Sequence, residues 1–336
     1  MNELIFFFNT VIVSGVVLGS IYAIGAIGIT LIFGILRFAH FAHGDMMTMG
    51  GFITLLLVWG LTALGISTAP YIPTGFAVLP VAMVIAAIIA LGIDKGFYAP
   101  LRKRGARPVT LLIASIGVTM IIQGLIRLFF GTGTYNLFET EAKVLIRIPV
   151  PLEGVTRTIN FTQPQLLMIL VTIVAVAVLH YFLTRTRLGK AMRAMSDNAD
   201  LAMVSGINTK LVVRVTWIVG GALACLAGTM LALDVQLKPD LAFNIILPIF
   251  AAAIVGGLGH AYGAIAGGFL VGFAETLAVF NWATVLRPLN AILPGGLELP
   301  SNLALVPTEY KLTVAFVILV IVLLVRPTGI FKGAST

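Results

Sequence analysis

The residues best suited to ion or proton chemistry lie in one short stretch, residues 37–45, between two apolar segments. Arg37, His40, His43 and Asp45 supply its ionisable groups. If the apolar segments cross a membrane, irregular backbone at that depth survives only where protein or a water-filled cavity covers it. The stretch is either a turn at the inner interface or a break that lines a pore. Asp45 is placed to cap the next helix by accepting its free N–H groups.

A second candidate, Glu275, stands in the middle of an apolar run, residues 272–277. A charged side chain at the centre of a bilayer costs about 2.5–3.5 kcal/mol on insertion scales, so acids in such positions are functional candidates. Glu275 either belongs to a functional path, or is a hydrogen-bonded carboxyl in the core of a bundle or near the outer interface. A proton relay usually contains more acids than this single one.

The sequence lacks the motifs that bind nucleotides, metals or covalent intermediates. It contains no G-x-x-x-x-G-K-[ST], H-E-x-x-H or G-x-S-x-G pattern. His40 and His43 are three residues apart, but no Cys or further His accompanies them as a metal ligand. We therefore expect no catalytic, cofactor-binding or metal-binding residues and no enzymatic activity. Any ATP that drives this protein is expected to be hydrolysed by another chain.

Composition places these residues in membrane-spanning elements. Hydrophobic residues make up 59% of the 336 residues, charged residues only 10%, and the mean hydropathy is +1.08. A soluble domain is about 25% charged, and a spanning helix needs about 20 apolar residues. The sequence predicts an all-α, polytopic transmembrane helix bundle of eight to ten helices, some broken or re-entrant, in a single domain over 1–336. The predicted segments are 10–36, 45–64, 75–95, 108–130, 164–183, 211–233, 244–258, 260–280 and 308–325.

The formal charge of +8 is attributed to membrane topology and not to nucleic-acid binding. Basic residues cluster near 102–107, near 185–193 and after the last helix. The positive-inside rule places these clusters on the cytoplasmic side. The connection 131–163 then faces outward, the C-terminus lies inside and the N-terminus outside.

Two features of the apolar segments indicate broken helices. The short segments 244–258 and 260–280 abut at Gly259 and His260. A His followed seven residues later by Gly-Gly-Phe occurs twice, beginning at His43 and at His260. Many transporters consist of duplicated halves whose discontinuous helices meet at the substrate path. The spacing therefore suggests an internal duplication, with chance as the alternative.

The connection 184–210 is long, basic at its start and then rich in Ala and Met. Ala199 and Ala202 share one helical face, and Gly206 is a natural helix terminator. A short cytoplasmic helix with a small-residue face suits docking into a groove on another protein. An ordinary connector between two helices is the alternative.

Several of these stretches, taken in order, resemble the permeases of branched-chain amino-acid ABC transporters, specifically the LivH type, over essentially the whole chain. Urea and short-amide permeases are similar, so the substrate is less narrowly defined than the type of transporter. An ion-coupled secondary transporter working alone is the rival of a different class. His260 departs from the family, in which we expect a small residue such as Ser. The matching stretches are 19–34, 41–45, 189–208, 256–268 and 326–331.

The resemblance implies a permease domain in the bacterial inner membrane that moves a branched-chain or related amino acid by alternating access. It also implies two cytoplasmic ATPase subunits, a second permease subunit, expected to be a paralogue, and a periplasmic substrate-binding protein. The ATPase-coupling residues are expected to be Lys190, Ala191, Arg193, Ala194, Asp197, Asn198, Ala199, Ala202, Gly206 and Ile207. The translocation path is expected to include Tyr22, Phe41, His43, Gly44, Asp45, Gly256, Gly257, Gly259 and Glu275.

Overall fold

A computed structural model describes residues 2–66, 72–138, 143–149, 157–287, 300–326 and 328–331. Long apolar runs favour helices, because a helix satisfies its own backbone hydrogen bonds where water is absent. The helices are α1 (Asn2–Phe7), α2 (Ser14–Leu36), α3 (Ala42–Ala63), α4 (Thr74–Ala77), α5 (Leu79–Ile93), α6 (Ala99–Lys103), α7 (Pro108–Phe130), α8 (Gln163–Arg185), α9 (Arg187–Asp197), α10 (Ala199–Val204), α11 (Thr209–Asp234), α12 (Ile246–Gly256), α13 (Ala261–Val279), α14 (Ala283–Leu286) and α15 (Lys311–Val325).

Eight helical segments in the described residues are long and apolar enough to cross a membrane. The prediction of an all-α, polytopic bundle is thereby confirmed. Two boundaries differ from expectation, because π-helical turns at Phe8–Val13 and Asp94–Tyr98 join shorter helices into longer ones. The first segment therefore begins at Asn2, and the third extends to Lys103. The eight segments are Asn2–Leu36, Ala42–Ala63, Leu79–Lys103, Pro108–Phe130, Gln163–Arg185, Thr209–Asp234, Ala261–Val279 and Thr308–Val325.

The predicted segment 244–258 is a half-length element. Helix α12 has only 11 residues, which corresponds to about 16 Å at 1.5 Å per residue. Irregular backbone at 235–245 leads into it, and two contacts hold parts of this backbone against neighbouring elements. The Ala242 N–H donates to Thr48 Oγ1 at 3.0 Å, and Leu237 forms an antiparallel bridge with Tyr135. The predicted break between 244–258 and 260–280 is also present, because α13 begins only at Ala261.

The first span, Asn2–Leu36, which contains α2, lies at the centre of the bundle, since 83% of its most apolar window is buried. It packs closely on α13, where a Cβ on Gly268 would collide with the backbone of Ala23. A Cβ on Gly228 of α11 would likewise collide with the backbone of Met47 in α3. Helices in lipid gain little from burying apolar surface against each other, so close backbone contact of this kind supplies much of their packing energy.

A short β-hairpin at one end of the bundle was not predicted. Strand β1 (Leu145–Pro149) pairs antiparallel with β2 (Thr158–Thr162), with Leu145 opposite Thr162. Asn9 fastens the hairpin to the first helix, because its side chain donates to the Thr158 carbonyl at 2.9 Å and accepts from the Asn160 N–H at 3.1 Å. We call this end of the molecule the hairpin end.

The opposite end collects the basic connections, and we call it the basic end. The Arg37 guanidinium donates to the Ser196 carbonyl at 2.5 Å, which joins the connection after α2 to α9. A Cβ on Gly34 would lie 3.4 Å from Gly259 Cα, so the break before α13 lies there too. The N-terminus and the described part of 131–163 are therefore at one end, and 184–210 and the end of α15 at the other.

Candidate translocation path and coupling surface

The first helix break follows α2. Arg37 adopts a left-handed conformation with φ of 55° and its N–H donates to the Phe33 carbonyl at 2.8 Å, so it ends the helix as a glycine commonly does. Helix α3 begins at Ala42 without a side-chain cap. The prediction that Asp45 caps α3 is wrong, because the helix starts before Asp45 and encloses its carboxylate within the first turn.

Asp45 instead connects α3 to α7. Gln123 Nε2 donates to Asp45 Oδ1 at 2.9 Å, and Arg127 Nη1 donates to Gln123 Oε1 at 3.1 Å. The Asp45 side chain is buried, and a buried carboxyl requires such polar partners. The three residues form a polar chain that leads from the first break along α7 towards the hairpin end.

A buried aromatic cluster surrounds the histidines of the first break. The His40 ring centroid lies 5.0 Å from that of Trp217 and 5.3 Å from that of Tyr98. The His43 ring is 6.2 Å from His40 and packs against Gly28 of α2. Burial, assisted by the neighbouring His43, lowers the pKa of His40 well below its usual value, so the ring is neutral near pH 7. Both side chains lie in the protein interior.

Phe41 and Gly44 connect this break to the half-length helix α12. The Phe41 and Phe250 ring centroids are 4.8 Å apart. A Cβ on Gly44 would lie only 3.1 Å from the Ala242 carbonyl oxygen and from Ile246 Cβ. All four predicted path residues on this stretch therefore contact neighbouring elements. They are Phe41, His43, Gly44 and Asp45.

Tyr22 and Glu275, two predicted path residues 253 positions apart, are in direct contact. The Tyr22 hydroxyl donates to Glu275 Oε2 at 2.9 Å, and Lys311 Nζ lies 3.8 Å from the same oxygen. The side chains of Tyr22 and Glu275 are buried, and that of Lys311 is 36% exposed. Glu275 is thus a hydrogen-bonded carboxyl in the core of the bundle, with a cation beside it.

The second helix break separates α12 from α13. Gly257 and Gly259 have φ of 103° and 89°, a region that glycine adopts without steric cost. Gly256 contacts the backbone of Gly263 so closely that a Cβ on either would collide with the other. The C-terminal residues also dock here, because the Ile330 N–H donates to the Val255 carbonyl at 2.8 Å. The predicted glycines therefore form the turn itself.

Two pockets lie on α2, α8 and α13, one at each end of the bundle. The hairpin-end pocket has a volume of about 600 Å³ and the basic-end pocket about 290 Å³. Packed residues of α2, including Tyr22, separate them. The hairpin-end pocket is lined by Phe6, Thr10, Ser14, Val17, Leu18, Gln165, Asp234, Thr276, Val279, Phe280, Asn281, Thr284 and Lys311. The basic-end pocket is lined by Thr30, Leu31, Gly34, Ile35, Leu183, Met192, Arg193, Ser196, Asp197, Gly259, His260, Ala261 and Tyr262.

The predicted coupling segment, residues 184–210, contains two short helices, α9 and α10, where the sequence suggested one. Asn198 separates them because its side chain accepts from the Leu201 N–H at 2.9 Å and so caps α10. Gly206 ends the segment in a left-handed conformation, with φ of 83°. The segment consists of two short capped helices that lie across the basic end.

Most small residues of this segment are turned inward, although Ala199 is exposed. Ala202 is 4% exposed, and Ala191, Ala194 and Ile207 are half-buried. The expectation that Ala202 presents a free docking face is therefore wrong, because its side chain packs within the chain. The remaining predicted coupling residues are exposed, and they are Lys190, Arg193, Asp197, Asn198, Ala199 and Gly206. Three apolar side chains outside the predicted coupling set are exposed beside them, Leu201, Met203 and Val204.

Residues 11–323 match the family model described as branched-chain amino acid transport system / permease component. The chain belongs to this family. The matched residues include the two helix breaks and the coupling segment described above.

Three relatives show how far the similarity extends. The high-affinity branched-chain amino acid transport system permease protein LivH of Escherichia coli is 31% identical over 98% of this chain and 97% of its own length. BraD of Pseudomonas aeruginosa, a permease protein with the same description, is 28% identical over 95% and 94%. A probable LivH of Methanocaldococcus jannaschii is 32% identical over 77% of both chains. The resemblance to the LivH type is confirmed.

Several residues of the site were missed from the sequence. Gln123 and Arg127 stand four positions apart in an apolar run, which is a signal for intramembrane polar residues. Asp234 is the last residue of α11 and Lys311 is the first residue of α15, both at the hairpin end, and neither is among the path residues predicted from the sequence. Ser196 gave no signal, because its backbone carbonyl and not its side chain binds Arg37.

Proposed function

We propose that the chain is the permease subunit of an ATP-driven importer that moves branched-chain or closely related amino acids across the bacterial inner membrane. The observation that carries this proposal is the family match over residues 11–323. The relatives named for branched-chain amino acid transport are similar over nearly the whole chain. ATP would be hydrolysed by two cytoplasmic subunits, while a second permease, expected to be a paralogue, and a periplasmic binding protein complete the importer.

The basic end is proposed to face the cytoplasm. Exposed basic side chains concentrate there, among them Arg104, Arg187, Lys190 and Arg193, and such residues are retained on the cytoplasmic side. The hairpin end would then face the periplasm and receive substrate from the binding protein. The C-terminus, which follows α15 at the basic end, would be cytoplasmic.

The ATPase is proposed to dock on the exposed apolar side chains of α10. Leu201, Met203 and Val204 are 62%, 57% and 78% exposed, although they lie outside the spanning helices. Exposed apolar residues grouped at one place on a polar surface mark protein interaction sites. Ala199 and the charged residues of α9 would form the rim of this docking surface.

Motion of the coupling segment would reach the substrate path through two contacts. Arg37 binds the Ser196 carbonyl of α9, and Gly34 packs against both Ser196 and Gly259. Both helix breaks are therefore tied to the segment that meets the ATPase. Alternating access would open the basic-end pocket and the hairpin-end pocket in turn, with the Tyr22–Glu275 pair between them.

Uptake by proteoliposomes tests the transporter class. The full chain with its ATPases, second permease and binding protein should accumulate L-leucine only when ATP is present on the ATPase side. Accumulation by this chain alone under an ion gradient would instead establish a secondary transporter. Uptake of urea in place of amino acids would move the protein to the amide permeases.

A charge placed on α10 tests the docking surface. We expect Leu201→Glu to remove most of the ATPase subunit that co-purifies with the chain, because the carboxylate would have to be desolvated in an apolar interface. Leu64→Glu is the matched control, since Leu64 is 72% exposed but lies at the hairpin end. Equal ATPase retention in both variants would contradict the docking surface, and so would loss in both.

A further inference from the structure

The hairpin-end pocket contains one cation and one anion that form no direct ion pair with each other. Lys311 and Asp234 both line it. Lys311 forms its ion pair with Glu275, at 3.8 Å. In the described ranges, no cation is within 4.0 Å of the Asp234 carboxylate. The pocket thus presents two opposite charges on separate helices, α11 and α15.

The rest of the lining divides into polar and apolar walls. Thr10, Ser14 and Gln165 add neutral hydrogen-bonding groups. The volume of about 600 Å³ lies within the range of about 300–1,000 Å³ that is usual for small-molecule sites. Sites of this kind combine an apolar lining with a few polar groups that fix the orientation of the ligand. The apolar wall consists of Phe6, Val17, Leu18, Val279 and Phe280.

We propose that the hairpin-end pocket is a binding site for a zwitterionic aliphatic amino acid, which Asp234 holds by its ammonium group and Lys311 by its carboxylate. This proposal rests on the proposed function and adds to it a place in the chain where the substrate binds. The branched side chain lies against the apolar wall. A ligand that carries only a carboxylate makes no ion pair with Asp234, and a ligand that carries only an ammonium group makes none with Lys311.

The site is connected to the centre of the bundle through Lys311. Its ammonium group lies beside Glu275, and Glu275 accepts a hydrogen bond from Tyr22 of α2. A substrate carboxylate therefore competes with Glu275 for the same cation. Substrate binding at the pocket changes the surroundings of the buried Tyr22–Glu275 pair, which separates the two pockets.

Equilibrium binding to the purified full chain tests the site, with L-leucine, 4-methylpentanoate and isopentylamine as probes. The last two keep the aliphatic group but lack the ammonium or the carboxylate. A charge-assisted hydrogen bond contributes about 1.5–3 kcal/mol, so each analogue should bind the wild type at least tenfold more weakly than leucine. Asp234→Asn should weaken leucine about tenfold and remove the preference for leucine over 4-methylpentanoate. Lys311→Met should likewise weaken leucine binding about tenfold, and it should remove the preference for leucine over isopentylamine.

Controls separate the site from general damage to the chain. Lys238→Met and Asp240→Asn make the same charge changes outside the pocket and should bind leucine as the wild type does. Lys311→Arg keeps the positive charge beside Glu275 and should retain most of the wild-type affinity for leucine. This variant therefore tests the role of the charge even if Lys311→Met does not fold. Leucine affinity unchanged by Asp234→Asn, or analogues that bind as tightly as leucine, would overturn the site.

ATP-driven uptake by the assembled wild-type importer distinguishes this result from the proposed function. If leucine is imported while Asp234→Asn binds and imports it normally, the site is wrong and the function stands. If the wild-type importer moves no branched-chain amino acid, the proposed function fails whatever the pocket binds.

Discussion

The two helix breaks lie at the same end of the bundle and are built in opposite ways. At the first break, residues 37–41, a non-glycine residue takes the left-handed conformation and aromatic rings bury His40. At the second, residues 257–260, glycines take that conformation and His260 is exposed at the basic-end pocket. The first break is therefore a packed part of the core, and the second is a glycine turn beside a pocket.

The His and Gly-Gly-Phe pattern occurs at both breaks, but only its glycines have the same structural role at each. Gly50 packs against Cys225, and Gly267 packs against the backbone of Ala252. Both glycine pairs thus allow a neighbouring helix to approach. The histidines differ, because His43 is buried and His260 is not. An internal duplication remains a prediction, supported by the glycines and not by the histidines.

A large side chain added at the second break should have the largest effect on folding. We expect Gly256→Leu to prevent folding, because its side chain would occupy the space of the Gly263 backbone and separate α12 from α13. The measurement is the yield of monodisperse chain in detergent. Gly60→Leu is the control, since an added Cβ meets nothing within 4 Å there. A well-folded Gly256→Leu variant would show that the second break tolerates bulk.

Replacing the two histidines by alanine should have the next largest effect, and the loss of stability should differ between the breaks. His43→Ala leaves a cavity against Gly28 and should lower the free energy of unfolding by about 2 kcal/mol, since lost packing is costly in a core. His260→Ala should change it by less than about 0.5 kcal/mol, as expected for an exposed residue. Thermal unfolding in detergent measures both. Equal effects would mean that the two histidines have equivalent surroundings.

Acid should weaken the first break by a smaller amount. Burial lowers the pKa of His40, so below pH 6.5 the unfolded chain binds a proton that the folded chain excludes. Stability is fully present above that pH and decreases as the pH falls, by roughly 1.3 kcal/mol between pH 7 and pH 5.5. Chemical unfolding at several pH values should show a shallower decrease in His40→Phe. An identical profile in that variant would remove His40 as the cause.

Backbone strain at Arg37 should give the smallest effect. Arg37→Gly and Arg37→Ala both lose the bond to the Ser196 carbonyl, but only glycine adopts a φ of 55° without cost. The glycine variant should therefore be more stable than the alanine variant by roughly 1 kcal/mol. Thermal unfolding of the pair, both in the same detergent, measures this difference. An alanine variant of equal stability would show that the first break carries no strain.

Much of the architecture was determined by the sequence alone. Apolar runs fixed the membrane class and the positions of the spans, because each run must be long enough to cross a bilayer. Abutting short segments predicted the break at Gly259 and His260. Gly206 was correctly expected to end the coupling segment. These features depend only on residues close together in the sequence and on the thickness of the membrane, so short stretches of sequence are enough to predict them.

The site depended on tertiary structure. The pairing of Tyr22 with Glu275 and the partner of Asp45 are set by how each spanning helix is rotated about its axis. Helices that are apolar on every side carry no amphipathic stripe to reveal that rotation. Their packing follows small residues and interhelical hydrogen bonds, and these require both partners to be in place. The sequence therefore identified which residues are unusual, while the packed bundle decided which of them meet.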